Sequence, residues 1–342
     1  MSGVFGNPWL YNPDDSFYSE TIDQSLRFDD GDSPALSKTY GAAQTNTKKL
    51  TISVWVKRGN LGLRSTILYA ISGSAGKLSF QTTDKIYFNA FNTGYNGFES
   101  NEVFRDTSSW FHILAQADSA DQSGANVNRV YVNGVELSNN KTNTFVPDDT
   151  ATMLLRNGVT TYIGDDTAGA YHFDGYLAEL NVIDGSVVAP TEFAETKDNI
   201  WIPKAYSGSY GDNGFRLTFQ GTGTATTTAG NTAQINIGDD QSGNGNNFAV
   251  SGLAASDVVL DSPTNNFPTL NRVHPNASTG NFSEGNLRSY QDQSPYTDFC
   301  ITNNYDPLAC WLSSVEFNLL KQPICMNTSI GKPISFPVEL CI

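Results

Sequence analysis

Positive charge is scarce in this chain. Twenty Lys and Arg stand against 35 Asp and Glu, a formal net charge of -15 over 342 residues. Nucleic acid and anionic membrane surfaces attract Lys and Arg clusters, so neither is an expected partner. Metal cations stay compatible with the acidity. Long apolar runs are missing too. None approaches the roughly 20 residues that a membrane helix needs, so no membrane insertion is expected. The first residues, Met1 to Trp9, offer neither a basic region nor a hydrophobic stretch. They do not read as a secretory signal, which predicts synthesis in a cytoplasm and exit by a route such as lysis. Histidine is limited to His112, His172 and His274. The Gly-x-Ser-x-Gly, His-Glu-x-x-His and phosphate-cradling motifs are absent.

Cysteine is absent from residues 1–299, and Cys300, Cys310, Cys325 and Cys341 crowd into the remaining positions. Their gaps do not match the paired spacing of a zinc site. They read either as disulfides of an extracellular particle or as four unpaired thiols.

What is present is a neutral-polar, turn-rich chain with 30 glycines and 12% aromatic residues. That aromatic content and low charge exclude disorder. Leu50, Ile52, Val54 and Val56 alternate with Thr51, Ser53, Trp55 and Lys57, the period of a strand with two distinct faces. Similar alternation runs over 85–91, 110–117, 176–183 and 215–219. In Arg129 to Leu137 the Asn133-Gly134 pair predicts a type I′ hairpin, because both residues tolerate positive φ. Only Pro190 to Thr196 reads as helical, for one or two turns. The expected class is all-β, an antiparallel β-sandwich. Composition places an N-terminal arm at 1–20, the dense strand region at 21–204, and a β-rich extension with a polar linker at 205–299. A cysteine-containing tail follows at 300–342.

Thr51 to Lys57, Trp110 to Ile113, Val130 to Gly134 and Phe173 to Leu180 occur in the order seen in laminin-G-like domains. Residues 22–200 therefore resemble that family, whose fold is a concanavalin A-like jelly roll. Ser25 to Ser33 with Trp55 to Gly62, and Asp240 to Phe248 with Asp261 to Phe267, resemble proteins of marine bacteriophages. Such proteins often carry a second, SPRY-like β-domain. The chain departs from that pattern after Leu287, so the C-terminal extension is expected to be incomplete. The resemblance implies a virion-associated adhesion protein, a tail fibre, spike or appendage, multimeric on the particle and bound to other virion proteins. Its task would be to hold host-surface glycan without turnover. A purely structural virion protein and a polysaccharide hydrolase are the alternatives.

Three sets of residues are candidates for chemistry. Tyr87, Asn89, Phe91, Asn92 and Tyr95 combine aromatic faces with amide groups, the composition of a sugar site; packing between two sheets is the competing reading. Asp240, Ser242 and Asn244 with Gly245 open like a Ca²⁺ loop, but Ser251 stands where its bidentate Glu belongs. An Asx turn fits the same residues. Asp165, Asp166 and Asp174 flank a loop where laminin-G-like domains often place calcium on the sandwich rim, and a solvated acidic loop is the alternative. Concanavalin A-like glucanases carry acids along one strand. Here Glu179 and Asp184 are separated by Asn181, so they are not expected to face each other across a cleft.

Overall fold

A computed structural model describes residues 17–73, 75–91, 97–121, 127–139, 150–166, 171–226, 235–270, 282–283 and 285–289. The cysteine-containing tail and His274 lie outside them. In chain order the strands are β1 (Ser25–Phe28), β2 (Ala35–Thr39), β3 (Lys49–Arg58), β4 (Ser65–Ile71), β5 (Ala75–Phe80), β6 (Ile86–Asn89) and β7 (Phe98–Glu99). They continue with β8 (Phe111–Asp118), β9 (Asn128–Val132), β10 (Val135–Glu136), β11 (Thr160–Ile163), β12 (Gly175–Asp184), β13 (Ala194–Lys197) and β14 (Ile200–Pro203). The last of the sandwich are β15 (Phe215–Leu217), β16 (Ala249–Ser251) and β17 (Val258–Val259).

Two antiparallel sheets pack face to face, as the alternation predicts for a concanavalin A-like jelly-roll sandwich. The first has eight strands in the order β10-β9-β8-β3-β12-β1-β17, with β15 also paired to β12. The second has seven, in the order β16-β2-β11-β4-β5-β6-β7. Leu50, Ile52, Val54 and Val56 of β3 are fully buried in the core between them. Opposite lies a row in register across the second sheet: Leu36, Ile163, Leu68, Leu78 and Phe88. Each such side chain contributes about 1.5–3 kcal/mol of burial free energy.

The hairpin at β9–β10 turns through Asn133 at φ 48° and Gly134 at φ 79°, the type I′ geometry. The helical expectation for Pro190 to Thr196 holds only over its first residues. Pro190–Glu192 makes a single 3₁₀ turn and Ala194 already begins β13, which pairs with β14. Cross-strand pairing of Ala194 with Pro203 and of Thr196 with Trp201 takes the chain out of helical geometry.

The segment after residue 204 does not stand apart from the sheets. β15 pairs with β12, β16 with β2 and β17 with β1. Phe215, Leu217, Phe219, Ile237 and Phe248 belong to the same buried cluster as the residues of β3.

Candidate functional site

The outer face of the second sheet carries a row of polar and aromatic side chains. In register across it lie Ser37 on β2, Tyr162 on β11, Tyr69 on β4, Lys77 on β5 and Asn89 on β6. Strand period 2 puts all of them opposite the apolar row that fills the core. Tyr87 shares the face, and the Lys77 ammonium sits 5.1 Å from its ring centre. At the start of β4 the Arg64 guanidinium lies 4.3 Å from the ring centre of Tyr171. Tyr87, Tyr162, Tyr171, Arg64 and Lys77 are half-buried. Burial, reinforced by repulsion from Arg64, lowers the Lys77 ammonium to about 8, and Asp166 partly opposes the shift. Aromatic faces beside amide and ammonium donors can hold a sugar, whose ring has an apolar face and a polar rim.

The predicted sugar residues divide. Tyr87 stands on this open face. Asn89 points to the same side but is fully buried, and its Oδ1 accepts the Phe91 amide at 3.0 Å. Phe91 is a correction: it is fully buried in the sandwich core, because the chain turns after β6 and inserts the ring between the sheets. Asn92 and Tyr95 lie outside the described residues. Tyr69, Tyr162, Lys77, Arg64 and Tyr171 were not among the expected residues. The apolar run from Thr66 to Ile71 and the alternation of Lys77-Leu78-Ser79-Phe80 are the signals that could have found β4 and β5.

The metal expectations also change. Asp165 Oδ1 lies 3.3 Å from His172 Nδ1 and accepts the Asp166 amide. Among the described residues, the acidic group that clusters is Asp29, Asp30 and Asp174, each with a carboxylate oxygen within 4.8 Å of the others. Oxygens sharing one calcium at about 2.3–2.6 Å can be at most roughly twice that apart, so this spacing fits a divalent cation. Asn60 Nδ2 already donates to both Asp30 and Asp174. At Asp240 the structure shows the hydrogen bonds of the Asx-turn alternative. Its two oxygens accept from the Arg216, Ser242 and Asn246 amides and from Ser242 Oγ. Asn244 Nδ2 donates to the Gly211 and Gly214 carbonyls. The carboxylate therefore organises an Asx turn.

Along β3 the outer face of the first sheet is covered. Thr51, Ser53, Trp55 and Lys57 are each at most 4% exposed. Trp55 packs with Ile22, Ala178 and Ala194, and with Trp110 and Trp201 at the margin. Lys57 Nζ donates to Asp261 Oδ2 and Asn266 Oδ1 at 2.8 Å each and to the Phe267 carbonyl at 2.6 Å. Trp110 Nε1 donates to the other Asp261 oxygen at 2.8 Å. Burial still lowers the Lys57 ammonium, against the attraction of Asp261.

Two arrangements on this face resemble catalytic ones. Ser53 Oγ and His112 Nε2 are 2.8 Å apart. Trp201 Nε1 donates to His112 Nδ1 at 3.2 Å. Indole is a donor only, so Nδ1 accepts and the neutral ring carries its proton on Nε2. That ring donates to Ser53 and cannot take its proton. Burial pushes the imidazole down to about 3. Glu179 sits at a bulge, where Glu179 and Leu180 together oppose Val54, and takes φ 47°. The bulge re-aims its side chain. Arg216 Nε donates to Glu179 Oε1 at 2.5 Å. Burial raises the carboxyl and Arg216 opposes the shift. Asp184 Oδ2 accepts instead from the Thr45 and Asn213 amides at 2.8 and 3.0 Å. The two acids thus hold separate sets of partners.

Residues 29–191 match the family model of the concanavalin A-like lectin/glucanases superfamily. The matched segment runs from the loop after β1 to the turn before β13. Among solved structures, the chain is similar to a proposed carbohydrate-binding protein from Bacteroides ovatus, at TM-score 0.45 and 14% identity over 71% of this chain and 62% of that one. It is also similar to the heptameric pentraxin of Limulus polyphemus, at TM-score 0.35 and 14% identity over 50% and 80%. A sialidase of Trypanosoma rangeli matches at TM-score 0.35 and 16% identity over 48% and 26%. The chain spans about three fifths of the length of the Bacteroides ovatus protein. No curated protein matches it.

Proposed function

We propose that the protein binds glycan without turning it over, on the outer face of the second sheet. One observation carries the reading. This face sets half-buried Tyr87 and Tyr162 beside Lys77, while the β3 stretch of the first sheet's outer face is covered by protein. A lectin-like sandwich over residues 29–191 supports it. The arrangement around Ser53, His112, Glu179 and Asp184 favours binding over hydrolysis, since neither a proton acceptor for the serine nor a facing acid pair is assembled there.

The setting we propose is a virion, with the protein as an adhesion element facing host-surface glycan and touching other virion proteins. That part rests on the likeness of Ser25 to Ser33 and Asp240 to Phe248 to marine bacteriophage proteins. Several copies on one particle would multiply weak contacts into firm attachment.

The test is a glycan array probed with the purified chain, with calcium and with chelator because of Asp29, Asp30 and Asp174. Binding that disappears in Tyr162→Ala and Tyr87→Ala, with the fold retained, is the expected result. Binding unchanged in both variants moves the site elsewhere. Release of reducing sugar that Glu179→Gln abolishes would make the protein an enzyme.

A further inference from the structure

Several cations of this acidic chain that the structure partly or wholly buries are matched to a carboxylate. Arg27 pairs with Asp257, Lys57 with Asp261, Arg58 with Asp84, Arg129 with Asp121 and Arg216 with Glu179. Arg64 and Lys77 are not so matched, and Lys38 over the Tyr40 ring is like them in this. Each is half-buried, each lies against a tyrosine ring, and among the described residues neither is in an ion pair. Arg64 Nε is buried without a hydrogen-bond partner. A guanidinium stacked on an aromatic face keeps its in-plane N–H groups for other acceptors, and that fork matches a carboxylate bidentately. Lys77 adds a point charge with three donors.

We propose that the sugar face of the second sheet is selective for glycans bearing carboxylates, of the uronic-acid class, with Arg64 and Lys77 holding the carboxylate beside Tyr87 and Tyr171. This rests on the glycan-binding reading and narrows it. The repulsion of Arg64, which helps to lower the Lys77 ammonium, is eased by any anion bound to either cation. Asp166, the acidic group that acts on Lys77 from the neighbouring loop, only partly offsets that repulsion. A neutral sugar would leave both cations partly desolvated and unmatched.

The full chain is tested against three carboxylated polymers (alginate, polygalacturonate and hyaluronate), against neutral dextran and against dextran sulfate. Binding to at least one carboxylated polymer is expected. It should weaken about tenfold or more in Arg64→Gln/Lys77→Gln, and partly in Arg64→Lys, which keeps the charge and loses the fork. In the unmodified protein, galacturonate should displace the polymer and galactose should not, a measurement that does not depend on any variant folding. Binding confined to dextran sulfate overturns the carboxylate assignment. Equal binding of neutral and acidic polymers, or of neutral ones alone, overturns the proposal and leaves the glycan reading standing. No binding to any polymer overturns both.

Discussion

Lys57 and Lys77 put the same side chain on the outer faces of the two sheets, and the molecule treats them in opposite ways. Lys57 is fully buried, and three oxygens from residues 261–267 receive its three protons. Lys77 stays half-exposed and has a tyrosine ring where Lys57 has a carboxylate. Burial lowers both ammonium groups. The difference teaches that desolvation alone does not mark a functional cation. What distinguishes Lys77 is that among the described residues no carboxylate is bonded to it, Asp166 acting only from a distance.

The largest effect expected from this contrast falls on the covered face. Asp261→Ala leaves the Lys57 ammonium buried with no counter-charge and should cost about 3–5 kcal/mol in urea unfolding. Lys57→Met/Asp261→Leu should recover much of that loss, because a buried pair can often be replaced by apolar volume. An Asp261→Ala protein of unchanged stability would dissolve the contrast.

A second test uses pH. The His112 imidazole titrates at about 3 when folded, against roughly 6.5 in an unfolded chain. A depressed folded value means stability that is fully present above about 6.5 and lost as pH falls from there towards about 3. His112→Gln should therefore flatten the loss of stability between those limits by one proton, read from unfolding curves across pH. An unaltered slope would mean that the ring is protonated in the fold.

A smaller loss is expected at the hairpin. Gly134→Val places a β-branched residue at φ 79°, with a new Cβ 2.8 Å from the Trp201 ring. Thermal denaturation should register about 1–2 kcal/mol from the backbone alone. Least of all should be felt on the open face. Tyr162→Ala is expected to change stability by about 1 kcal/mol or less while abolishing glycan binding. Should it instead destabilise the protein as Asp261→Ala does, the second sheet's outer face is structural too.

Much of the sandwich was legible in the residues. The alternation over 50–57 gave β3, and Asn133-Gly134 gave its turn, because both signals are local. The polar side of β3 was the misleading part. Thr51, Ser53, Trp55 and Lys57 have the composition of a solvated face, yet they are buried under Ile22 and segments from 186 to 267. Their partners lie up to 210 residues away, and no window of the sequence carries that distance. Phe91 failed for a related reason: alternation cannot see that the strand stops at Asn89. The tyrosine face was missed because Tyr69, Tyr87 and Tyr162 meet only through the pairing of β4, β5, β6 and β11. Glu179 was read correctly as an acid on a strand, but its bulge and its arginine belong to the fold.

The two shortest late strands have a consequence for the order of assembly. β16 covers the open edge of β2 and β17 that of β1, and the Arg27–Asp257 ion pair fastens the second of these. Both edges are formed by residues made early, and both wait for residues made more than two hundred positions later. At about 5–20 residues per second, synthesis from residue 204 to 259 takes roughly 3–11 s. Throughout that interval the nascent sandwich carries two open strand edges on one side, each a template for a neighbouring chain on the same polysome. Slowing elongation across 205–259 should lengthen that exposure and lower the soluble yield, with no change in the finished molecule.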